Sequence, residues 1–270
     1  MKTLTWKDIK LREHQKNAHK GDNGHVVIIG GSKDYVGCVV FAGLAALRSG
    51  CDIVTIAAPE KVAWAINTLT PDLITKKCKG EYLTSKHLRE ILFLTEKADV
   101  VLIGNGLGKK KETQILIKKL VHTLTQQKKA IVLDADVFTA IKVQEVDNAI
   151  LTPHENELKV LLQNSKIKLA KMQSHLRHNV LLRKGPRDII YTKTKIVGNK
   201  TGEKRMTVAG TGDILAGLSA GFVAQGYSLF DSACYAAFFC GKLGEYAAGK
   251  RSSYYLASDL LTDIKRVMDG

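Results

Sequence analysis

Short apolar runs alternate with segments of helical spacing along most of this 270-residue chain. Runs of four to six apolar residues are typical of strands that are buried on both faces of a parallel sheet. The alternation therefore predicts an α/β fold, with a mostly parallel central sheet and helices on both faces. The predicted strands are 25–29, 52–57, 100–103, 131–133, 149–151, 180–182, 188–192 and 195–197, and the predicted helices are 39–49, 112–125 and 155–162.

The last third of the chain, residues 212–268, is predicted to be mostly helical, with breaks at Gly226-Tyr227 and at Gly249-Lys250. Residues 1–20 are predicted to be a helical extension. We expect one domain over residues 1–270, because no low-complexity linker or internal repeat divides the sequence.

Charge is the least ordinary part of the composition. There are 41 lysines and arginines against 26 aspartates and glutamates, a formal net charge of +15. A nucleic-acid-binding protein is one interpretation, but the lysines are spread out and no aromatic residues are interleaved with them. A solvated basic surface that attracts a small anionic substrate is the favoured interpretation. We therefore expect no nucleic-acid partner.

Five cysteines are scattered without Cys-x-x-Cys spacing, which favours reduced thiols over a disulfide framework or a zinc site. No stretch approaches the roughly 20 apolar residues of a membrane span, and residues 1–20 lack the apolar run of a secretory signal. These observations predict a cytoplasmic protein with no membrane partner.

Glycine-rich or polar turns follow four of the predicted strands: Gly30-Gly31-Ser32, residues 104–108, Asp134-Ala135-Asp136 and residues 152–155. In open α/β sheets, ligands bind beyond the carboxyl ends of the strands. The four turns therefore predict a binding site at that edge of the sheet.

Residues 208–217, with the sequence VAGTGDILAG, predict the chemistry of this site. Glycines ahead of a helix let backbone N–H groups surround an anion, and the positive end of the helix favours phosphate there. Asp213 in the first turn is well placed to act as a base. The pattern indicates phosphoryl transfer onto a hydroxyl. The simpler alternative is a plain helix start at which Asp213 is a cap.

A set of motifs, in this order, resembles the ADP/ATP-dependent NAD(P)H-hydrate dehydratases of the ribokinase-like superfamily. The motifs are GHVVIIGGSKDYVG, IGNGLG, DAD, LTPHENEL, RKGPRD, GNKTGE and AGTGDILAG, and they cover residues 24–226. The resemblance implies a ribokinase-like fold. In this family the domain is often fused behind an epimerase domain. The present sequence resembles the stand-alone form, so we expect it to work with a separate epimerase.

The resemblance also implies a reaction. Members of this family repair the S form of NADH or NADPH hydrate, in which water has added to the dihydropyridine ring. ADP or ATP, with Mg²⁺, phosphorylates the ring hydroxyl, and loss of phosphate regenerates the cofactor. Phosphate is a good leaving group, whereas hydroxide is a poor one. The implied class is a hydro-lyase acting on NADHX and NADPHX.

By resemblance, Asp213 is the catalytic base, and Thr211 and Gly212 supply N–H groups to the transferring phosphate. The hydrate-binding positions are Cys38, Gly106, Gly108, His154 and Asp213. The nucleotide-binding positions are Lys184, Gly185, Pro186, Arg187, Asp188, Asn199, Thr201, Thr211 and Gly212.

Several of these residues have a second interpretation. His154 could pack locally at a helix start, and Lys184 could be a solvated lysine rather than a phosphate contact. Asn156 and Glu157 are candidates for placing Mg²⁺, although no metal ligand is firmly assigned. Asp134 and Asp136 either orient magnesium-bound water or cap the following helix. The sequence does not choose between Gly106 and Gly108 for the close approach to the hydrate.

The chain departs from the family pattern in two places. Cys38 stands where the family usually has a smaller alanine, and residues 203–207, EKRMT, add charges near the nucleotide. The second change leaves the preference for ADP or ATP open.

Two other functions remain as alternatives. One is a small-molecule kinase of the same superfamily, acting on a vitamin precursor or a sugar. The other is a basic nucleic-acid-binding protein without turnover. By resemblance we also expect a homo-oligomer, a tetramer, for which the apolar residues 235–239 could form an interface or simply core.

Overall fold

The computed structural model describes residues 1–12, 17, 19–251 and 254–269. Within them one ten-stranded sheet has the order β1-β10-β9-β8-β7-β6-β5-β2-β3-β4. The strands from β8 to β4 run parallel, while β9 is antiparallel to both its neighbours. The strands are β1 (Lys2–Thr3), β2 (His25–Ile29), β3 (Ile53–Pro59), β4 (Ile74–Cys78), β5 (Val100–Ile103), β6 (Ala130–Leu133), β7 (Ala149–Leu151), β8 (Val180–Arg183), β9 (Asp188–Tyr191) and β10 (Ile196–Asn199).

Helices cover both faces of the sheet, as predicted. They are α1 (Gly37–Arg48), α2 (Glu60–Leu69), α3 (Leu88–Thr95), α4 (Lys111–Gln126), α5 (Glu155–Ser165), α6 (Met172–His175), α7 (Thr211–Ala224), α8 (Leu229–Arg251) and α9 (Ala257–Met268). The described helices include none that is long and apolar enough to cross a membrane.

Alternate side chains of the central strands enter two separate cores. In β2, Val26 and Ile28 pack with α1, α7, α8 and α9, whereas Val27 and Ile29 pack with α4 and α5 on the other face. Successive side chains of a strand point to opposite faces, so a strand buried on both sides must be apolar throughout. This is why continuous apolar runs identified these strands.

The strand order reverses between β2 and β5. The chain builds β3 and β4 on one side of β2 and then returns to lay β5 on its other side. Loops that leave two such strands in opposite directions open a crevice at the carboxyl edge of the sheet. The loop after β2 and the loop after β5 therefore border the expected binding site.

Helices α1 and α7 pack unusually closely. A Cβ atom added at Gly217 would collide with the carbonyl oxygen of Ala42, and one at Gly221 would collide with Ser49 Oγ. Close approach of the two backbones therefore requires glycine at these positions of α7. The packing fixes the position of the first turn of α7, which carries Asp213.

Two local predictions differ from the structure. Residues 1–12 form β1 and a single 3₁₀ turn at Trp6–Asp8 rather than a helix, because β1 pairs with β10 at the sheet edge. Residues 13–16 and 18 of the expected extension lie outside the described residues. The predicted break at Gly249-Lys250 is also wrong, since α8 continues to Arg251. One glycine costs a helix only about 1 kcal/mol, which packing of a 23-residue helix outweighs.

Candidate active site

A cavity of about 800 Å³ opens between the β8–β9 turn, the loop after β10 and the start of α7. Its size lies within the range of small-molecule sites. Seven of the nine predicted nucleotide-binding residues line it: Lys184, Gly185, Pro186, Asp188, Thr201, Thr211 and Gly212. The remaining wall includes His154, Met206, Leu215 and Cys240, so both polar and apolar side chains line the cavity.

The first turn of α7 forms one wall of this cavity. Gly210 precedes it with a φ of 102°, a left-handed conformation that suits glycine. Thr211 Oγ1 donates to the carbonyl oxygens of Met206 and Val208, at 2.9 and 3.1 Å, so its hydroxyl is already engaged. The N–H groups of a first helical turn have no partner inside the helix. They and the positive helix end together favour an anion at Thr211 and Gly212.

Lys184 approaches the same helix start from the end of β8. Only 16% of its side chain is exposed, and its Nζ lies 2.7 Å from Asp134 Oδ1 and 3.8 Å from Glu157 Oε2. A Cβ added to Gly212 would stand 3.4 Å from this Nζ. Burial acts to lower the pKa of Lys184, but Asp134 and Glu157 outweigh it and raise the pKa overall. The residue is therefore a fixed cation and not a solvated lysine.

Asp213 lies beside this cation and receives a hydrogen bond of 2.6 Å from Asn105 Nδ2. Burial raises the pKa of the Asp213 carboxyl to about 6, and the negative charges of Asp134 and Glu157 act in the same direction. Asn105 and Lys184 act to lower it. A carboxylate with a pKa near 6 is suited to general-base catalysis at neutral pH.

Of the predicted hydrate-binding residues, Gly106 and Gly108 lie in the loop after β5, and Cys38 lies in the first turn of α1. A Cβ at Gly106 would collide with Cys38 Sγ and would stand 2.8 Å from Tyr35 Cβ, so this glycine is needed for packing within the protein. A Cβ at Gly108 would meet open space. The structure therefore distinguishes the two glycines, and Gly108 is the one that borders open space.

Cys38 is half-buried in the first turn of α1. Burial raises the pKa of its thiol to about 12, and the charge of Asp213 adds to this effect. The thiol stays neutral and contributes shape rather than charge to the hydrate side.

His154 caps helix α5. Its Nδ1 accepts from the backbone N–H groups of Asn156 and Glu157, at 3.1 and 3.4 Å, and its Nε2 lies 3.2 Å from Glu157 Oε1. The local interpretation of His154 therefore describes its present contacts. The same ring also lines the nucleotide cavity.

Arg187 and Asn199, both predicted nucleotide-binding residues, do not line the cavity. Arg187 donates to Thr3 Oγ1 at 3.1 Å and so links the β8–β9 turn to β1. Asn199 is buried and donates to Asp188 Oδ2 at 3.2 Å, and its Oδ1 accepts from Thr201. Both residues therefore lie outside the cavity lining and hold neighbouring segments in place.

Comparisons with known proteins show the family of this chain. The family model described as NAD(P)H-hydrate dehydratase matches residues 26–266. The chain belongs to the NAD(P)H-hydrate dehydratase family. The family and the ribokinase-like fold predicted from the sequence are thereby confirmed.

Relatives of two lengths match. The chain is 42% identical to the bifunctional NAD(P)H-hydrate repair enzyme Nnr of Methanothermobacter thermautotrophicus, over 97% of this chain and 53% of that protein. It is 32% identical to the ADP-dependent (S)-NAD(P)H-hydrate dehydratase of Cenarchaeum symbiosum, over 94% of this chain and 91% of that protein. The chain thus spans about half the length of the first of these curated relatives.

A solved structure gives the same fold. It is the ADP/ATP-dependent NAD(P)H-hydrate dehydratase of Bacillus subtilis, co-crystallised with ATP and Mg²⁺, with a TM-score of 0.80 and 25% identity. The match covers 96% of this chain and 94% of that one.

Asp134 and Asp136, the two residues considered for orienting magnesium-bound water, both accept hydrogen bonds from the protein. Both oxygens of Asp134 accept protein hydrogen bonds, from Asn105, Thr152 and Lys184, and its side chain does not cap the following 3₁₀ helix. Asp136 accepts from the backbone N–H of Gly108 at 2.9 Å. Within the described part of the chain, no group of three His, Cys, Asp or Glu side chains could hold a metal. This donor set fits a Mg²⁺ ion that is bound mainly through phosphate oxygens and water.

Sequence reasoning did not single out Asn105 and Thr152. Both are fully buried at the ends of strands, and each holds one of the site's carboxylates. One signal in the sequence could have found them. Asn105, Asp134 and Thr152 come within two residues of the ends of three parallel strands, and the carboxyl ends of such strands meet at one edge of the sheet.

Proposed function

We propose that this protein dehydrates the S form of NAD(P)H hydrate, using ADP or ATP as phosphoryl donor. The observation that carries the proposal is the placement of Asp213. This carboxylate, with a pKa of about 6, lies in the first turn of α7 with Lys184 on its nucleotide side. A base next to a phosphate-binding helix start is the arrangement that phosphoryl transfer to a hydroxyl requires.

In the first step the ring hydroxyl oxygen of the hydrate attacks the terminal phosphorus of the nucleotide. Its proton passes to the carboxylate of Asp213, and the bond from phosphorus to the bridging oxygen breaks, releasing ADP from ATP or AMP from ADP. The N–H groups of Thr211 and Gly212 and the ammonium of Lys184 stabilise the charge on the transferring phosphate.

In the second step the carbon–oxygen bond breaks, and inorganic phosphate leaves with the bonding electrons. The lone pair of the ring nitrogen supplies electrons to the ring carbon as the bond breaks. Loss of a proton from the neighbouring carbon then restores the dihydropyridine of NADH or NADPH. The net change is loss of water from the hydrate and hydrolysis of one phosphoanhydride bond.

Magnesium enters this proposal with the nucleotide. When bound, it would neutralise charge on the phosphate oxygens. Glu157 is the predicted residue whose carboxylate lies close to Lys184, whereas the side chain of Asn156 is exposed. Glu157 therefore fits better as a contact for magnesium-bound water.

We also propose a cytoplasmic homo-oligomer, a tetramer by family resemblance, that receives the S epimer from a separate epimerase. Five free thiols support a reducing compartment. The residues considered for an interface, 235–239, are core in this structure, with Tyr235 and Phe239 buried among aromatic neighbours.

The test is a coupled absorbance assay. Purified protein is mixed with chemically prepared NADH hydrate or NADPH hydrate, Mg²⁺ and either ADP or ATP, and the near-ultraviolet band of the reduced cofactor is followed. We expect the band to return only with nucleotide, together with stoichiometric inorganic phosphate. A stable phosphorylated product without phosphate release would instead identify a kinase, and would contradict the proposal.

A further inference from the structure

Asn105 occupies a central position that the proposed reaction steps leave unused. It lies two residues after the end of β5, is 0% exposed, and its carbonyl oxygen accepts from the backbone N–H of Gly31 at 2.8 Å. Its side-chain Nδ2 donates to Asp213 Oδ1 at 2.6 Å and to Asp134 Oδ2 at 3.1 Å. One amide group therefore bridges two buried or half-buried carboxylates that lie 79 positions apart in the sequence.

The second carboxylate is itself tied to the nucleotide side. Asp134 Oδ1 accepts from Lys184 Nζ and from Thr152 Oγ1, each at 2.7 Å. A continuous chain of contacts thus runs from Lys184 through Asp134 and Asn105 to Asp213. Without the amide, the two carboxylates would repel each other across the gap that it fills.

The orientation of the Asn105 amide follows from its two partners. Rotating it by 180° would aim Oδ1 at both carboxylates, so the NH₂ group must face them. Its Oδ1 is then buried with no hydrogen-bond partner among the described residues. Leaving a buried acceptor unpaired costs the fold stability, because the acceptor loses its hydrogen bonds to water. Retaining such a cost is typical of a functional site rather than of a core.

We propose that Asn105 is a positioning residue for the proton-transfer step, holding the Asp213 carboxylate in one orientation and linking it to the Lys184–Asp134 ion pair. This inference rests on the proposed function, because it concerns the base of that reaction. The role differs from that of Lys184, since Asn105 approaches Asp213 from the hydrate side, through the loop after β5.

The electrostatic surroundings of Asp213 set the expected effect. Groups from several elements face it: Asp134 after β6, Glu157 on α5, Lys184 after β8 and Cys38 on α1. Burial and the two acidic groups raise its pKa, while the hydrogen bond from Asn105 lowers it. Removing the amide therefore favours the protonated, inactive carboxyl.

The experiment compares Asn105→Ala and Asn105→Asp with the matched control Thr152→Val. The control also removes a buried hydrogen bond to Asp134, but it leaves the hydrogen bond from Asn105 to Asp213 in place. Folding of each variant is checked by thermal unfolding. Then kcat and KM are measured from pH 5 to pH 9 in the coupled assay.

We expect Asn105→Ala to lower kcat about 10- to 100-fold at pH 6, as loss of a hydrogen bond to a charged group implies. The pH below which kcat falls, the acid limb of the pH profile, should move to higher pH. At alkaline pH kcat should recover, and the nucleotide KM should change little. Asn105→Asp should move the limb at least as far, because it adds a third carboxylate. Thr152→Val should leave the limb in place.

A readout without turnover separates this proposal from the proposed function. NMR titration of ¹³C-labelled aspartate carboxyls, with Asp213→Asn for assignment, should show a higher Asp213 pKa in both Asn105 variants than in the parent. An unchanged acid limb and an unchanged Asp213 titration in folded Asn105 variants would overturn the positioning role. Absence of nucleotide-dependent return of the reduced-cofactor band with the parent protein would instead overturn the proposed function itself.

Discussion

The two sides of Asp213 are built in different ways. The proposed nucleotide side is a cavity of about 800 Å³ with a buried cation, Lys184, that is fixed by Asp134 and Glu157. The proposed hydrate side includes the loop after β5, in which Gly106 packs against Cys38 and Tyr35, and Gly108 borders open space. The comparison shows that one side is organised by charge and the other by backbone shape, with the proposed base, Asp213, at their boundary.

The largest effect is expected where the two sides meet. Asp213→Asn should lower kcat by about 10²–10⁴-fold, because it removes the base, and should leave both KM values close to the parent's. In the parent, kcat/KM should fall below about pH 6, where the Asp213 carboxyl becomes protonated and can no longer accept the proton. Steady-state kinetics as a function of pH measure both effects.

Asp188→Asn is the matched control, because burial also raises the pKa of Asp188 to about 6. It should retain the acid limb of the pH profile and change mainly the nucleotide KM.

The folded pKa of Asp213 lies above its ordinary value of 3.8, so its ionised form destabilises the fold above pH 6 and has no effect below pH 3.8. Asp213→Asn should therefore raise the free energy of unfolding at pH 8 by up to about 3 kcal/mol. Near-parental turnover by Asp213→Asn would contradict its assignment as the base.

The next largest effect should distinguish nucleotide binding from hydrate binding. Lys184→Met should raise the nucleotide KM about 10- to 100-fold, since a charged contact to phosphate is lost. The hydrate KM should change little. Stability should fall by about 3–5 kcal/mol, because Asp134 is left buried without its cation. Kinetics with each substrate varied in turn, together with urea unfolding, test this.

Lys204→Met is the control, because Lys204 lines the same cavity but is exposed. Its effect on the nucleotide KM should stay within about threefold. If Lys184→Met does not fold, Lys184→Met/Asp134→Asn removes the unpaired charge and should recover stability. An equal rise of the nucleotide KM and the hydrate KM would show that Lys184 does not act on nucleotide binding alone.

Smaller effects distinguish the two glycines of the hydrate side. Gly106→Ala should cost about 1–3 kcal/mol of stability, because its methyl group meets Cys38 and Tyr35. Gly108→Ala, at a φ of 78°, should cost about 1 kcal/mol of backbone strain and raise the hydrate KM. Thermal unfolding and hydrate titration measure the two changes. Cys38→Ala combined with Gly106→Ala should recover part of the stability, and equal stability of the two single variants would refute the distinction.

The smallest effect is expected at His154. His154→Ala should cost about 0.5–2 kcal/mol through loss of the cap of α5, and should raise the hydrate KM with kcat unchanged. His154→Asn keeps a capping acceptor and should restore stability without restoring the KM. A rise in the nucleotide KM alone would assign the imidazole to the nucleotide side, where it lines the cavity.

The sequence predicted the central strands well and the sheet edges poorly. β2, β5 and β7 have the predicted bounds, because a strand buried on both faces has to be apolar throughout. β4 was missed, since its sequence ITKKC carries two lysines, one of which pairs with Glu90 at the surface. β1 was missed because two residues give no periodic signal. An edge strand has one neighbour only, so its composition is weakly constrained.

Only part of the site was predicted, because local motifs do not encode contacts between residues far apart in the sequence. Asp213, Gly212 and Lys184 belong to local motifs, and the structure brings them together. The hydrogen bond from Asn105 to Asp213 spans 108 residues, and no local pattern encodes such a contact. Arg187 and Asn199 sit in the same motifs as residues of the wall, but the backbone turns them away from the cavity.

The close contact between α1 and α7 also determines which parts of the molecule can move. With Gly217 and Gly221 pressed against the backbone of α1, neither helix can slide without steric collision, so the two behave as a single rigid body. We therefore expect Cys38 at the start of α1 and Asp213 at the start of α7 to keep a constant separation. Any closure of the cavity would then come from the β8–β9 turn and the surface loops, and not from the start of α7.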